Sequence, residues 1–214
     1  MKKGTILYIM DPLCGWCYGF SSVMQQLKEK HAADFNFRVV TGGMITGERV
    51  APVSAMAGYI LQAYKRVEEY TGATFGEPYL DMLRKGTEIN DSEPPCRAIY
   101  TFGQIRPDQA VDFAHKLQLA SFVDGKSLND EQTYRDLAAE FGVDPGSFIA
   151  AMNSEESRYG TQQDFQWAKA AGITGFPCTV LETGDKYYML SQGYRPLNEV
   201  EQVLQSVQSS TVQQ

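Results

Sequence analysis

Strand-forming sequence occurs in this chain near its two ends, and a long stretch patterned for helices lies between them. Thr5-Ile6-Leu7-Tyr8-Ile9-Met10 is β-branched and aromatic, and Asp11-Pro12 breaks it. Residues 22–30 then set Val23 and Leu27 one helical turn apart, and residues 35–41 are again apolar and β-branched before Gly42-Gly43 ends them. Parallel strands need a crossover connection, usually a helix, so this opening reads as a βαβ unit. Near the other end, residues 178–182 and 187–192 flank the turn signal Thr183-Gly184-Asp185-Lys186 and should pair as an antiparallel hairpin. Pro196 then opens a helix with Val200, Val203, Leu204 and Val207 on one face, and the polar run 209–214 is expected to fray.

The intervening residues carry helix punctuation. Ser54 precedes an amphipathic run to Tyr70, Pro95 suits a first helical position, and Pro107-Asp108 opens a segment with Ala110, Phe113, Ala114, Leu117 and Ala120 on one face. Asp144-Pro145 and Ser154 mark later starts, while Gly142 and Gly172 read as helix-ending residues. The order is βαβ, a helical block of about 130 residues, then ββα. That is an α/β chain with the order of the thioredoxin fold, interrupted by an inserted all-helical domain. Residues 1–43 and 173–214 would form the discontinuous core, and 44–172 the insertion.

At 214 residues the chain can bury a substantial core without a disulfide scaffold. Its 19 basic and 26 acidic residues give a net charge of −7 with no basic run, which argues against nucleic-acid binding. The apolar stretch after Lys2-Lys3 is too short for a signal peptide, and no 18 apolar residues run together, so neither export nor a membrane span is expected. Four cysteines are too few for a secreted disulfide framework, and the expected compartment is the reducing cytoplasm.

There, Cys14-Gly15-Trp16-Cys17 is the motif that carries chemistry. Two cysteines separated by two residues, at the start of a helix that follows a strand, can close a tight disulfide with the first sulfur toward solvent. The helix N-terminus offers unpaired N–H groups and the positive end of the macrodipole, which favour a thiolate at Cys14, the attacking species in disulfide exchange. Cys14 is read as the nucleophile, Cys17 as the resolving thiol and Trp16 as an apolar contact for substrate. A zinc half-site is the competing reading, but Cys96, Cys178, His31 and His115 stand alone, and no metal is expected.

Asp11-Pro12-Leu13-Cys14-Gly15-Trp16-Cys17-Tyr18-Gly19-Phe20, together with Thr174-Gly175-Phe176-Pro177, resembles the DsbA-like oxidoreductases of the thioredoxin superfamily. The resemblance spans essentially the whole chain. It implies a thiol-disulfide oxidoreductase or protein disulfide isomerase, with a redox-active Cys14–Cys17 disulfide and no bound cofactor. It also implies a cis-proline at Pro177 facing the disulfide, and a Phe176 backbone that pairs with extended substrate. Protein or small-molecule thiols would be the partners, with glutathione or thioredoxin as electron partner. The middle pair Gly15-Trp16 differs from the Pro-His of the periplasmic oxidant that names the family, so strong oxidant character is not implied.

Other residues have more than one reading. Cys178 is either a small residue opening a buried strand or an auxiliary thiol, and Cys96 is a packing residue or a sensor thiol. Tyr59, Tyr64, Tyr70 and Tyr79 either pack between helices or line a groove over Cys14, and Glu48-Arg49 and Arg97 are solvated charges or anchors for a glutathione carboxylate. Two other functions share the architecture: a kappa-type glutathione transferase or isomerase, which typically has serine at the first cysteine, and a redox-responsive adaptor.

Overall fold

Burial along β1 (Thr5–Met10) is nearly complete because the strand has a neighbour on either side. A computed structural model of the chain describes residues 2–212. From β1 the chain passes through α1 (Gly15–His31) to β2 (Asn36–Thr41), which pairs parallel with β1 in the register Thr5 to Asn36 through Met10 to Thr41. The helical block follows: β3 (Ala51–Pro52), α2 (Ser54–Thr71), α3 (Glu77–Lys85), β4 (Ile89–Asn90), α4 (Glu93–Ile105), α5 (Ala110–Phe122), α6 (Glu131–Glu140), α7 (Pro145–Met152) and α8 (Glu155–Ala170). The hairpin β5 (Cys178–Thr183) and β6 (Lys186–Gln192) then adds antiparallel to β1, giving the sheet order β2-β1-β5-β6, and α9 (Leu197–Val212) closes the chain.

The caps read from the sequence are in place where a side-chain oxygen can reach a free N–H. Asp144 accepts from Ser147 at 2.8 Å and Ser154 from Ser157 at 3.2 Å. Two local features differ from the sequence reading. Within the block β3 and β4 form a two-residue antiparallel ladder, Ala51 opposite Asn90, too short to leave an alternating pattern in the sequence. The final helix continues to Val212 rather than fraying from 209, and residues 213–214 lie outside those described.

One continuous core joins both parts of the chain. Ile6, Tyr8 and Met10 on one face of the sheet meet Phe20, Met24 and Leu27 of α1, and these meet Phe102, Phe113 and Phe148 of the block. Phe102 and Phe113 stack with centroids 4.1 Å apart, and both are fully buried. The opposite sheet face, with Leu7, Ile9 and Val180, packs on Ala168 of α8. A second cluster lies under α2 and α3, where Val53, Val67, Phe75, Tyr79 and Phe122 gather around Tyr18. α2 itself buries little, with Val67 as its one fully buried residue.

Asp164 fastens α8 to β2: it accepts from Arg38 Nη2 at 2.6 Å and from the Thr41 N–H at 3.4 Å. Burial pushes its carboxyl up from 3.8 to about 6, against the pull of Arg38. A raised carboxyl means the folded state holds its proton more tightly, so this group's stabilisation is present at low pH and lost as pH rises through about 6. In urea denaturation the stability of Asp164→Asn relative to wild type should therefore improve between pH ~4.5 and ~7. Phe102→Ala should cost about 3–5 kcal/mol in the same assay, since it empties the centre of the shared core.

Candidate active site

β1 delivers the chain to its C-terminal end at Met10, and Asp11-Pro12-Leu13 turns it into α1. Cys14 is the N-cap of that helix, with extended backbone at φ −85° and ψ 112°, and its Sγ accepts the Cys17 N–H at 3.2 Å. The Cys14 thiol also lies 3.7 Å from the Phe176 carbonyl oxygen, to which it can donate. Both cysteines are free thiols; Cys14 is 8% exposed and Cys17, one turn inside, 0%. Burial pushes the Cys17 thiol well up, and the adjacent Cys14 adds to the effect. From β1, the Tyr8 hydroxyl donates to the Cys17 carbonyl at 2.9 Å, and burial holds this phenol neutral.

Asp11 emerges as a residue of the site that sequence reasoning treated as a strand break. It is fully buried, and its carboxylate accepts from the Leu13 N–H at 2.9 Å, the Met44 N–H at 2.6 Å and the Ser92 hydroxyl at 3.0 Å. Burial raises its carboxyl, while these donors and the Arg49 charge pull it back. Ser92 stands at the N-cap position of α4 but makes no capping bond; its hydroxyl instead serves Asp11 and accepts the Ile45 N–H at 3.0 Å. The signal in the sequence was an acidic residue three positions before Cys14, directly after the apolar run Ile6–Met10.

The Phe176–Pro177 peptide bond is cis. Phe176 brings its carbonyl to Cys14 and lays its ring over Gly42, where a Cβ would come within 2.0 Å of the ring carbons. Gly42-Gly43 therefore does more than end β2: it makes room for the loop that faces the dithiol.

Cys178 is buried at the first position of β5, in line with the reading of it as a small residue opening a buried strand. It lies opposite Ile9 and shares the sheet face that packs on α8, whereas Tyr8 and the dithiol belong to the other face. Its buried thiol reaches the Gly175 carbonyl at 3.2 Å, and burial pushes it up. Cys96 is likewise fully buried in the first turns of α4, and burial pushes its thiol well up. Arg97 is spoken for: 8% exposed, it lies 3.5 Å from the Met152 carbonyl and is no anchor at the dithiol.

Trp16, Tyr18 and Gly19 explain why the motif extends past the second cysteine. Tyr18 donates to the Thr74 carbonyl at 2.8 Å and stacks on Phe122 at 5.1 Å. Gly19 lets Thr71 approach α1, since a Cβ there would meet it at 2.7 Å. Trp16 packs partly into both clusters and meets Tyr70 edge-on at 6.1 Å. Of the four tyrosines considered over Cys14, Tyr79 is buried and Tyr64 packs on Phe75, while Tyr59 and Tyr70 are 67% and 60% exposed. Among the described residues no group of three or more His, Cys, Asp and Glu side chains is placed to hold a metal ion. No helix among them is long and apolar enough to cross a membrane.

A helix-capping cysteine with a second cysteine one turn behind it, facing a cis-proline, is the arrangement of thiol-disulfide oxidoreductases on the thioredoxin fold. The chain belongs to the DSBA-like thioredoxin domain family, whose model matches residues 5–205. It is similar to a Nitrosomonas europaea structure provisionally described as a protein disulfide isomerase, at 26% identity and TM-score 0.85 over 98% of this chain and 99% of that one. It is also similar to the cytosolic disulfide reductase DsbM of Pseudomonas aeruginosa, at 26% identity and TM-score 0.80 over 95% and 98%, a protein also solved with glutathione. A more distant relative, the ClpXP adapter protein SpxH of Halalkalibacterium halodurans, is 21% identical over 96% of this chain and 68% of its own length.

Gly42→Ala tests the loop geometry. Its methyl group has to displace the Phe176 ring, so a loss of about 1–3 kcal/mol in urea denaturation is expected, with slower oxidation of the dithiol by a small disulfide.

Proposed function

We propose that this enzyme is a disulfide reductase of the reducing cytosol, working through a mixed disulfide on Cys14 that Cys17 resolves. The observation that carries the reading is the unequal placement of the two thiols. Cys14 caps the helix and receives the Cys17 N–H, whereas Cys17 is buried behind it with its proton held tightly. The Cys14 thiolate attacks one sulfur of a substrate disulfide, forming a Cys14–substrate disulfide and expelling the other half as a thiolate. Cys17 then gives up its proton and attacks Cys14 Sγ, releasing the second substrate thiol and leaving a Cys14–Cys17 disulfide.

Asp11, whose negative charge is felt at Cys17, would be the base that takes that proton. The Phe176 backbone, with its carbonyl beside Cys14, would pair with an extended substrate, and Trp16 would contact its apolar part. Two molecules of a thiol such as glutathione would then return the enzyme to the dithiol, ending as glutathione disulfide. The likeness to a cytosolic reductase solved with glutathione supports this direction. If a second thiol of a scrambled protein attacks the mixed disulfide before Cys17 does, Cys14 leaves again as its thiolate and the net change would be disulfide isomerisation.

Cys14→Ser should abolish disulfide reduction in an insulin or small-disulfide assay, and full activity in that variant would overturn the assignment. Cys17→Ser should instead accumulate a mixed disulfide, detectable as a mass increase equal to the substrate half. The likeness to SpxH favours one additional reading, that the helical block presents clients to a protease. Partner affinity that follows the Cys14–Cys17 redox state without turnover would support that reading over the reductase.

A further inference from the structure

Two arginines are linked by chains of contacts to the dithiol, and neither forms an ion pair with a carboxylate among the described residues, although the Arg49 charge is felt at the buried Asp11. On one side Arg49 donates from Nη2 to the Gly43 carbonyl at 3.1 Å, next to the glycine on which the Phe176 ring rests, and Phe176 in turn reaches Cys14. On the other side Arg66 lies over the Tyr70 ring, 5.5 Å from its centroid, and Tyr70 meets Trp16 of the motif. Both arginines are exposed. Of the nine arginines in the chain, six pair with carboxylates, and Arg49, Arg66 and Arg106 do not among the described residues. Arg106 stands at the far end of α4 from Ser92, away from the dithiol. In a protein of net charge −7, two arginines without an ion-pair partner among the described residues are thus tied to the Cys-x-x-Cys motif, one through Gly43 and the Phe176 loop and the other through Tyr70 and Trp16.

From this placement we infer that Arg49 and Arg66 select a small anionic thiol or disulfide whose sulfur lies between two carboxylates. Glutathione has that pattern, with its glycyl and γ-glutamyl carboxylates on either side of the cysteine. The inference rests on the reductase reading and specifies its electron partner. A guanidinium matches a carboxylate through two parallel N–H donors, and the contact with the Tyr70 ring leaves the Arg66 donors unspent on an internal acid among the described residues. Polypeptide substrates do not place charge so regularly about the sulfur and would gain less from the pair. The exchange itself is unchanged: Cys14 takes one half of the disulfide and Cys17 expels it as the thiol.

The test is the rate at which the pre-reduced enzyme is oxidised by three disulfides of different charge: glutathione disulfide, neutral hydroxyethyl disulfide and dicationic cystamine. The readout is each rate relative to that of the neutral compound. Wild type should favour glutathione disulfide over the neutral compound and disfavour cystamine, and both biases should shrink as salt is raised. Arg49→Gln and Arg66→Gln should each lower the glutathione ratio about fivefold. Arg49→Glu and Arg66→Glu should lower it further and raise the cystamine ratio. Taking a ratio to the neutral disulfide removes any general loss from loosening Gly43 or Tyr70. Ratios that do not move in the four variants overturn the inference, as does a wild type that reacts with an unfolded protein disulfide but shows no preference for glutathione disulfide. Wild type that reacts with none of these disulfides would instead overturn the reductase reading.

Discussion

The buried carboxylate of Asp11 holds three separate chain segments against one another. Its oxygens take the Leu13 N–H of the turn into α1, the Met44 N–H of the loop after β2, and the Ser92 hydroxyl before α4. A carboxylate removed from water is costly unless donors replace its hydration, and these three are what make its burial tolerable. Ser92 extends the arrangement, since its N–H donates to the Ile45 carbonyl at 2.7 Å while its hydroxyl accepts from Ile45. The segment 41–45 is thereby held beside the dithiol, and with it Gly42, the support for Phe176. The same charge reaches Cys17, so the group that assembles the site also helps to hold the proton on that buried thiol.

The helical lobe of α2 and α3 is joined to this centre through the redox motif itself. Tyr18 fills the small cluster beneath the lobe, Gly19 admits Thr71, and Trp16 bridges to Tyr70. α1 thus turns one side, with Cys17 and Phe20, into the main core and another, with Tyr18 and Gly19, toward the lobe. Because α2 buries little else, its outer surface stays open to solvent, and Tyr70 with Arg66 stands at the rim of the site. A lobe anchored at the motif and otherwise lightly buried is an economical way to set a wall beside Cys14 without enlarging the core.

Much of this could be read from the residues. β1 coincides with the apolar run Thr5–Met10, and the hairpin falls around Thr183-Gly184-Asp185-Lys186, because alternation and turn chemistry are local signals. The cap at Asp144 and the buried face of α5 were legible for the same reason. Cys14 and Cys17 were legible because their spacing and their place after a strand are covalent facts. Asp11 was not, because an acidic residue before proline ordinarily marks a chain break, and its partners at Met44 and Ser92 are distant in sequence. Cys178 kept two readings, because nearness along the chain does not say which face of a strand a side chain takes; its pairing with Ile9 puts it on the face that packs on α8.

The order of strands and helices, the chemical character of the Cys-x-x-Cys pair and its position at a helix start were determined by the sequence alone, through interactions that span a few residues. Which groups surround that pair was decided by the tertiary structure. Pairing β5 against β1 brings Phe176 and Pro177 to Cys14, and folding the block back over α1 brings Ser92 to Asp11 and Tyr70 to Trp16. The physical reason is that burial and electrostatic environment are sums over neighbours from the whole chain. A thiol's reactivity therefore cannot be assigned until the chain ends have closed into one sheet and the core they share with the helices has excluded water.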